Sequence, residues 1–395
     1  LWAILAIVIG VMVALKPSSR SVTISYREAA EAFLHAAPMY HEGKDGWLYP
    51  VWSAMVYIPF TLMPIAIGEV LWRFVSIALY AWSIWRLAHL VDGEASSREE
   101  AIVPSHFLLL TLLTLPAAIG SAKNGQMNLP MGAAMLLGCL EAHEHRWWRS
   151  AIWLTLALTM KPIAIVLVLL VGVLHPRLAW RLAIAALVML ALPFINPHWG
   201  YVAQQYREGL AKVVEAGEPG VGRYAELTSL LRKFGVEAPY AIMTGVRAIA
   251  AVATLVVCWL ATRRLDRARA IVTIFALGTA YLMVFNPRTE GNSYIIVAPG
   301  IAAWAAWMLQ RAFAPKASVA QPSRHRVMLI AWMLVVACVL LGVSHMLVPA
   351  WQGKDRVIRP FVTLVFFAGL GGAVLFRAKA LASDPPALAG TPVAS

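Results

Sequence analysis

Apolar runs of membrane-spanning length recur along almost the whole chain. A run of about 20 apolar residues matches the roughly 30 Å hydrocarbon core of a bilayer. Within that core the backbone must satisfy its own hydrogen bonds, which helices do. The pattern predicts an all-α fold, a polytopic membrane helical bundle. Composition agrees: 60% of residues are hydrophobic and 13% charged, against about 45–50% and about 25% in soluble domains.

The runs predict spans at 68–91, 102–119, 127–142, 150–160, 162–175, 179–195, 241–262, 269–286, 295–313, 327–349 and 360–377. Residues 1–15 read as the end of a first span, because at about 1.5 Å per residue they are too few to cross. The expected total is about twelve transmembrane helices. They form one multi-pass domain over residues 1–377, with outer loops 16–67 and 196–240 and a disordered cytoplasmic tail at 378–395. The runs 150–160 and 162–175 are short, so the pair predicts a shallow hairpin with Lys161-Pro162 at its tip. Residues 26–37 place Tyr26, Ala29, Ala30, Phe33 and Ala37 on one side and Arg27, Glu28 and Glu31 on the other. That is an amphipathic helix suited to an interface. Residues 51–64, interrupted by Pro59 and Pro64, predict a re-entrant or surface-lying segment.

The net charge of +13 does not signal nucleic acid, because the basic residues sit in short loops between apolar runs. They mark topology and lipid headgroup contacts. His145-Arg146-Trp147-Trp148-Arg149, Arg177 with Arg181, Arg263 to Arg269, Arg311 to Arg326, and Arg377 with Lys379 assign one set of loops to the cytoplasmic side. The net acidic loop at 92–101 is an exception. Cys139, Cys258 and Cys338 lie inside apolar runs with no metal-like spacing and read as buried small hydrophobes.

The opposite face then collects the unusual polar features. Residues 120–128, GSAKNGQMN, put Lys123, Asn124, Gln126 and Asn128 at the same end of the bundle as Lys161. Polar groups gathered at one end of a hydrophobic bundle point to a binding site, here for an anionic ligand. The outer loops add Glu28, Asp45, Arg288 and Glu290. A carboxylate can take a proton from a hydroxyl, and Lys or Arg can stabilise charge developing on a phosphate. Plainer roles are open for each: snorkelling for Lys123 and Lys161, capping for Asn124, Gln126 and Asn128, a local ion pair for Arg288 and Glu290, a solvated face for Glu28. The Glu141-Ala142-His143-Glu144-His145 cluster reads as a solvated turn at the cytoplasmic end, and no metal site is expected.

Tyr26 to Ala30 with Met39-Tyr40, then Leu48-Tyr49-Pro50, Asn124-Gly125-Gln126-Met127-Asn128, Lys161-Pro162 and the polar loop Asn286 to Tyr294 occur in an order that resembles glycosyltransferase family 87. The resemblance covers about residues 20–300 and implies a GT-C-like architecture. It implies inverting transfer of a hexose, typically mannose, from a polyprenyl-phosphate donor to a lipid or glycan acceptor, usually without a metal and with no cofactor. The expected location is a bacterial cytoplasmic membrane, with the site on the extracytoplasmic side. Lys123, Asn124, Gln126, Asn128, Lys161 and Arg288 would bind donor phosphate or sugar, and Tyr26, Tyr49, Glu290 and Tyr294 would contact the acceptor or shape the loop. The family commonly carries an aspartate shortly before the tyrosine matched by Tyr26, resembling a general base. Here that stretch, Arg20 to Ser25, has no acid, which leaves Glu28 and then Asp45 as the expected bases. A non-catalytic binder or transporter of lipid-linked sugar, and a subunit of an envelope-glycan assembly, remain alternative readings.

Overall fold

The computed structural model describes residues 1–17, 21–41, 46–93, 106–217, 224–313, 321–347 and 355–376. Asp45, most of the acidic loop and the tail at 378–395 lie outside the described residues. Among the described residues the regular structure is helical throughout, with no strand. In chain order the helices are α1 (Trp2–Leu15), α2 (Thr23–Leu34), α3 (Val51–Ala54), α4 (Ile58–Thr61), α5 (Ile65–Gly93), α6 (His106–Asn124), α7 (Asn128–His143), α8 (Trp147–Met160), α9 (Ile165–Leu174), α10 (Pro176–Ala191), α11 (Trp199–Gly217), α12 (Leu227–Lys233), α13 (Tyr240–Arg264), α14 (Arg267–Phe285), α15 (Ala298–Phe313), α16 (Gln321–Leu347) and α17 (Asp355–Leu375). Short 3-10 turns occupy Pro162–Ala164, Leu192–Ile195 and Gly291–Ile296.

Seven helices among the described residues are long and apolar enough to cross a membrane. The expected count of about twelve is not confirmed, because several apolar helices fall short of that length. α1, α8 and α9 have 14, 14 and 10 residues, and about 1.5 Å per residue carries the shortest of them only halfway across a bilayer. α7 and α15, with 16 residues each, are buried along most of their length. Their small residues permit close packing: a Cβ on Gly300 would lie 2.7 Å from Ala276 Cβ, and one on Gly138 would lie 2.6 Å from Leu154 Cγ. The three cysteines are buried and free.

The hairpin expected around Lys161 is present. The Trp147 and His175 rings stand 5.8 Å apart, and the Trp148 and Trp180 rings 5.3 Å apart. The start of α8 therefore meets the end of α9, and Lys161 sits at the far turn in an extended conformation (φ −146°, ψ 132°). The amphipathic face of α2 is also as read: Tyr26, Ala29, Ala30 and Phe33 are buried, while Glu28 and Glu31 are exposed. The segment 51–64 forms two single-turn helices, α3 and α4. Arg27 closes α4 by donating to the carbonyls of Phe60 (2.8 Å), Thr61 (3.0 Å) and Met63 (3.2 Å), which would otherwise lack partners at a helix end.

One ion pair welds these pieces together. Glu69 and Arg73, one turn apart on α5, are each 1% exposed and hydrogen-bonded to one another. Glu69 also accepts from Thr23, from Ser21 (3.2 Å) and from Tyr57 (3.1 Å). Arg73 donates to Ser21 Oγ (2.9 Å) and to the Lys123 carbonyl (3.3 Å). Trp72 Nε1 donates to the Gly125 carbonyl (2.8 Å). Gly125 has φ +65°, and a Cβ there would lie 2.6 Å from Thr23 Cγ2. The start of α2, the outer end of α5 and the α6–α7 turn thus share one polar knot.

Removing one partner of a buried pair strands the other charge, at about 3–5 kcal/mol. Glu69→Ala is expected to lower the melting temperature in lipid nanodiscs clearly, and Glu69→Leu/Arg73→Met to recover most of the loss. A Glu69→Ala protein that melts with wild type would contradict this account.

Candidate active site

A cavity of about 530 Å³ lies between the loop at Leu48 and Tyr49, the tip of the α8–α9 hairpin, α11, α13 and the end of α14. Its wall is mixed. Ile163, Ile165, Val166, Val213, Leu282 and Phe285 make an apolar side. Tyr49, Lys161, Tyr224, Arg247, Arg288 and Glu290 make a polar end.

Three cations face this space. Lys161 is 7% exposed, and its ammonium stands 5.4 Å from the Tyr49 ring centroid. Arg288 donates from Nε to the Tyr224 hydroxyl (3.0 Å) and lies over that ring at 5.4 Å. Arg247, on α13, has a buried Nε with no hydrogen-bond partner among the described residues. An unpaired buried donor is costly, and here it borders a cavity that already holds two more positive charges.

Glu290 is the one carboxylate lining the cavity among the described residues. Gln126 Nε2 donates to its Oε2 (2.9 Å), and Asn128 Nδ2 donates to Gln126 Oε1 (3.1 Å). The α6–α7 turn therefore reaches the 286–294 loop through two side-chain amides. Tyr49 is fixed from behind, because the Tyr40 hydroxyl donates to its carbonyl (2.8 Å). Tyr26 sits deeper, its hydroxyl accepting from the Met127 amide (3.3 Å). Its ring packs edge-on against Trp47, Tyr57 and Trp72 at 5.9–6.4 Å between centroids. Burial pushes the Tyr26 and Tyr49 hydroxyls well above their ordinary range, with the Glu290 carboxylate adding to the rise at Tyr49. Both are neutral donors at physiological pH.

The model of glycosyltransferase family 87 matches residues 47–287, more than half of the chain. The chain belongs to glycosyltransferase family 87. It is a glycosyltransferase, and its seven long apolar helices make it an integral membrane protein. No curated protein matches the chain. The family 87 stretch contains Tyr49, Gln126, Asn128, Lys161 and Arg247, and stops just before Arg288 and Glu290.

Within this family 87 fold the structure sorts the expected site residues into two groups. Tyr49, Lys161, Arg288 and Glu290 line the cavity, Gln126 and Asn128 reach it through Glu290, and Tyr26 backs it. Lys123 does not converge with Lys161: its side chain is exposed at the end of α6, and only its carbonyl is used, by Arg73. Asn124 likewise contributes its carbonyl, to the Val22 amide (3.2 Å). Tyr294 is fully buried and acts as a strut, donating to the Ala225 carbonyl (2.8 Å). Glu28, the first expected base, does not line the cavity. Two residues along a helix is a rotation of about 200°, so with Tyr26 facing inward Glu28 faces out.

Arg247 was missed because it lies inside an apolar run read as a span. The signal was available, since an arginine within a membrane helix marks a functional site by default. In the 141–145 cluster, Glu141 and Glu144 are ion-paired to Arg86 (3.0 and 2.6 Å).

Glu28→Gln is expected to leave sugar transfer within about twofold of wild type, as a solvated surface change should. Loss of transfer by this variant at unchanged thermal stability would return Glu28 to the site.

Proposed function

We propose that the protein transfers a hexose, mannose first among the candidates, from a polyprenyl-phosphate donor to a lipid or glycan acceptor, with inversion at the anomeric carbon. The observation that carries this reading is the convergence of Lys161, Arg247 and Arg288 at the polar end of a cavity with an apolar flank. A polyprenyl-phosphate sugar is a phosphodiester with one negative charge. Once the sugar leaves, the polyprenyl phosphate approaches two. Cations fixed at the site favour the later state, which is how a preorganised field lowers a barrier. The apolar flank at Ile163, Ile165, Val166 and Phe285 suits the first isoprene units of the donor.

The site is assigned to the extracytoplasmic side. The basic loops at Arg146, Arg149, Arg177, Arg181, Arg263 and Arg264 lie at the other ends of the helices that frame the cavity, and basic loops stay in the cytoplasm. The lipid-linked sugar is a substrate, and no cofactor enters the scheme. One observation favours the carrier alternative: the first loop has no acid before Tyr26, and the nearest buried carboxylate, Glu69, is neutralised by Arg73.

With radiolabelled polyprenyl-phosphate mannose in nanodiscs, Lys161→Ala is expected to lower kcat/KM for donor at least about tenfold, equivalent to about 1.4 kcal/mol of transition-state stabilisation. Wild-type turnover by that variant at all donor concentrations would count against the phosphate assignment. Donor binding without turnover in wild type would favour the carrier.

A further inference from the structure

The loop from Asn286 to Tyr294 is held unusually firmly for a loop. The Thr289 carbonyl accepts from the Ala225 amide (2.7 Å), and its hydroxyl donates to the Asn286 carbonyl (3.1 Å). The Glu290 carbonyl accepts from the Ser293 amide (2.9 Å). Tyr294 anchors the far end. Gly291 is pressed against Arg359, where a Cβ would lie 2.3 Å from Nη1. The Glu290 side chain therefore starts from a fixed backbone, and the Gln126 amide fixes its Oε2. Its other oxygen makes no hydrogen bond or ion pair among the described residues, and the residue is exposed to the cavity mouth.

The other described carboxylates of the outer half are accounted for. Glu69 is locked to Arg73. Glu226 caps α12 by accepting from the Thr228 and Ser229 amides (both 2.7 Å). Glu208 accepts from Gln204 (2.7 Å) and Gln205 (3.0 Å). Glu28 and Glu31 are exposed on α2, and Glu237 is exposed in the turn between α12 and α13, away from the cavity lining. The groups that face Glu290 are Gln126 from the α6–α7 turn, Tyr26 of α2, Tyr49 of the first loop, and Arg288 of its own loop, with Lys161 beyond Tyr49.

Resting on the donor reading above, we propose that Glu290 is the catalytic base, oriented by Gln126 and Asn128 as positioning residues. A Glu290 oxygen takes the proton of the acceptor hydroxyl. The acceptor oxygen forms its bond to the anomeric carbon while the bond from that carbon to the phosphate oxygen breaks. The electron pair stays with the phosphate, beside Lys161, Arg247 and Arg288. Glu290 ends protonated and returns its proton to water.

The test measures transfer against pH in nanodiscs prepared from native membranes that hold acceptor, together with binding of polyprenyl phosphate. Glu290→Gln is expected to lower kcat by about 10²–10⁴-fold, the usual weight of a general base, with polyprenyl phosphate binding retained. The fall of kcat/KM toward acid pH should vanish in that variant and persist in Glu290→Asp. Gln126→Leu should lower kcat while keeping the acid limb. Turnover by Glu290→Gln matching wild type, or loss of activity in Asp45→Asn alone, overturns the assignment and leaves the donor reading intact. Parallel loss of product binding in Glu290→Gln assigns a structural role and also overturns it. A wild type that consumes no polyprenyl-phosphate sugar overturns the donor reading and this inference together.

Discussion

The Glu69–Arg73 pair is the interaction on which the half of the molecule that holds the cavity depends. Two opposite charges one turn apart on a buried helix face are costly to bury, and their mutual attraction offsets that cost only if the remaining lone pairs and protons find partners. Here Ser21, Thr23, Tyr57 and the Lys123 carbonyl supply them. These partners come from three different stretches of chain, so satisfying the pair fixes where those stretches meet. α2 starts where Thr23 can reach Glu69, and the α6–α7 turn sits where its carbonyls can reach Arg73 and Trp72. Tyr26 then falls beside Met127, and Gln126 falls within reach of Glu290.

The cavity builds on a second constraint, the interruption of helices near one membrane face. α8 ends at Met160 and α14 at Phe285, and each is followed within three residues by a cation that lines the cavity, Lys161 and Arg288. Helix C-termini carry partial negative charge, which stabilises a nearby cation by about 0.3–1 kcal/mol or more when partly buried. That helps two of the three cations share a small volume with only one carboxylate lining it among the described residues. Broken helices are tolerated at membrane depth where protein covers the exposed backbone, and α11, through Val213, supplies part of the cover.

Much of this was legible in the sequence. The runs read at 127–142, 241–262 and 269–286 are close to α7, α13 and α14, because apolar length is a local property. The turn at Lys161 was legible too, as a Lys-Pro step between two runs too short to cross alone. Composition alone does not set the span count, since a short helix buried by neighbours and one crossing lipid look alike in it. Helical periodicity gave the buried face of α2, and the same periodicity puts Glu28 on the exposed face although it is only two residues from Tyr26. Glu69 and Arg73 were passed over inside an apolar run although their i, i+4 spacing is that of an ion pair. Lys123 and Lys161 shared an end of the bundle, but a shared end does not set side-chain direction, and only Lys161 turns inward.

The charge balance of the proposed reaction closes within the cavity. Before transfer, three cations face a singly charged phosphodiester and an ionised Glu290. After transfer, the phosphate has gained about one negative charge and Glu290 has lost one by taking the acceptor proton. The sum is unchanged, so the site need not reorganise while the bond breaks, which is the condition for a preorganised field to act at full strength. Reset then requires Glu290 to give up its proton. The exposure of Glu290 at the cavity mouth gives that proton a path to water, and the same position suits the residue to meet an acceptor hydroxyl.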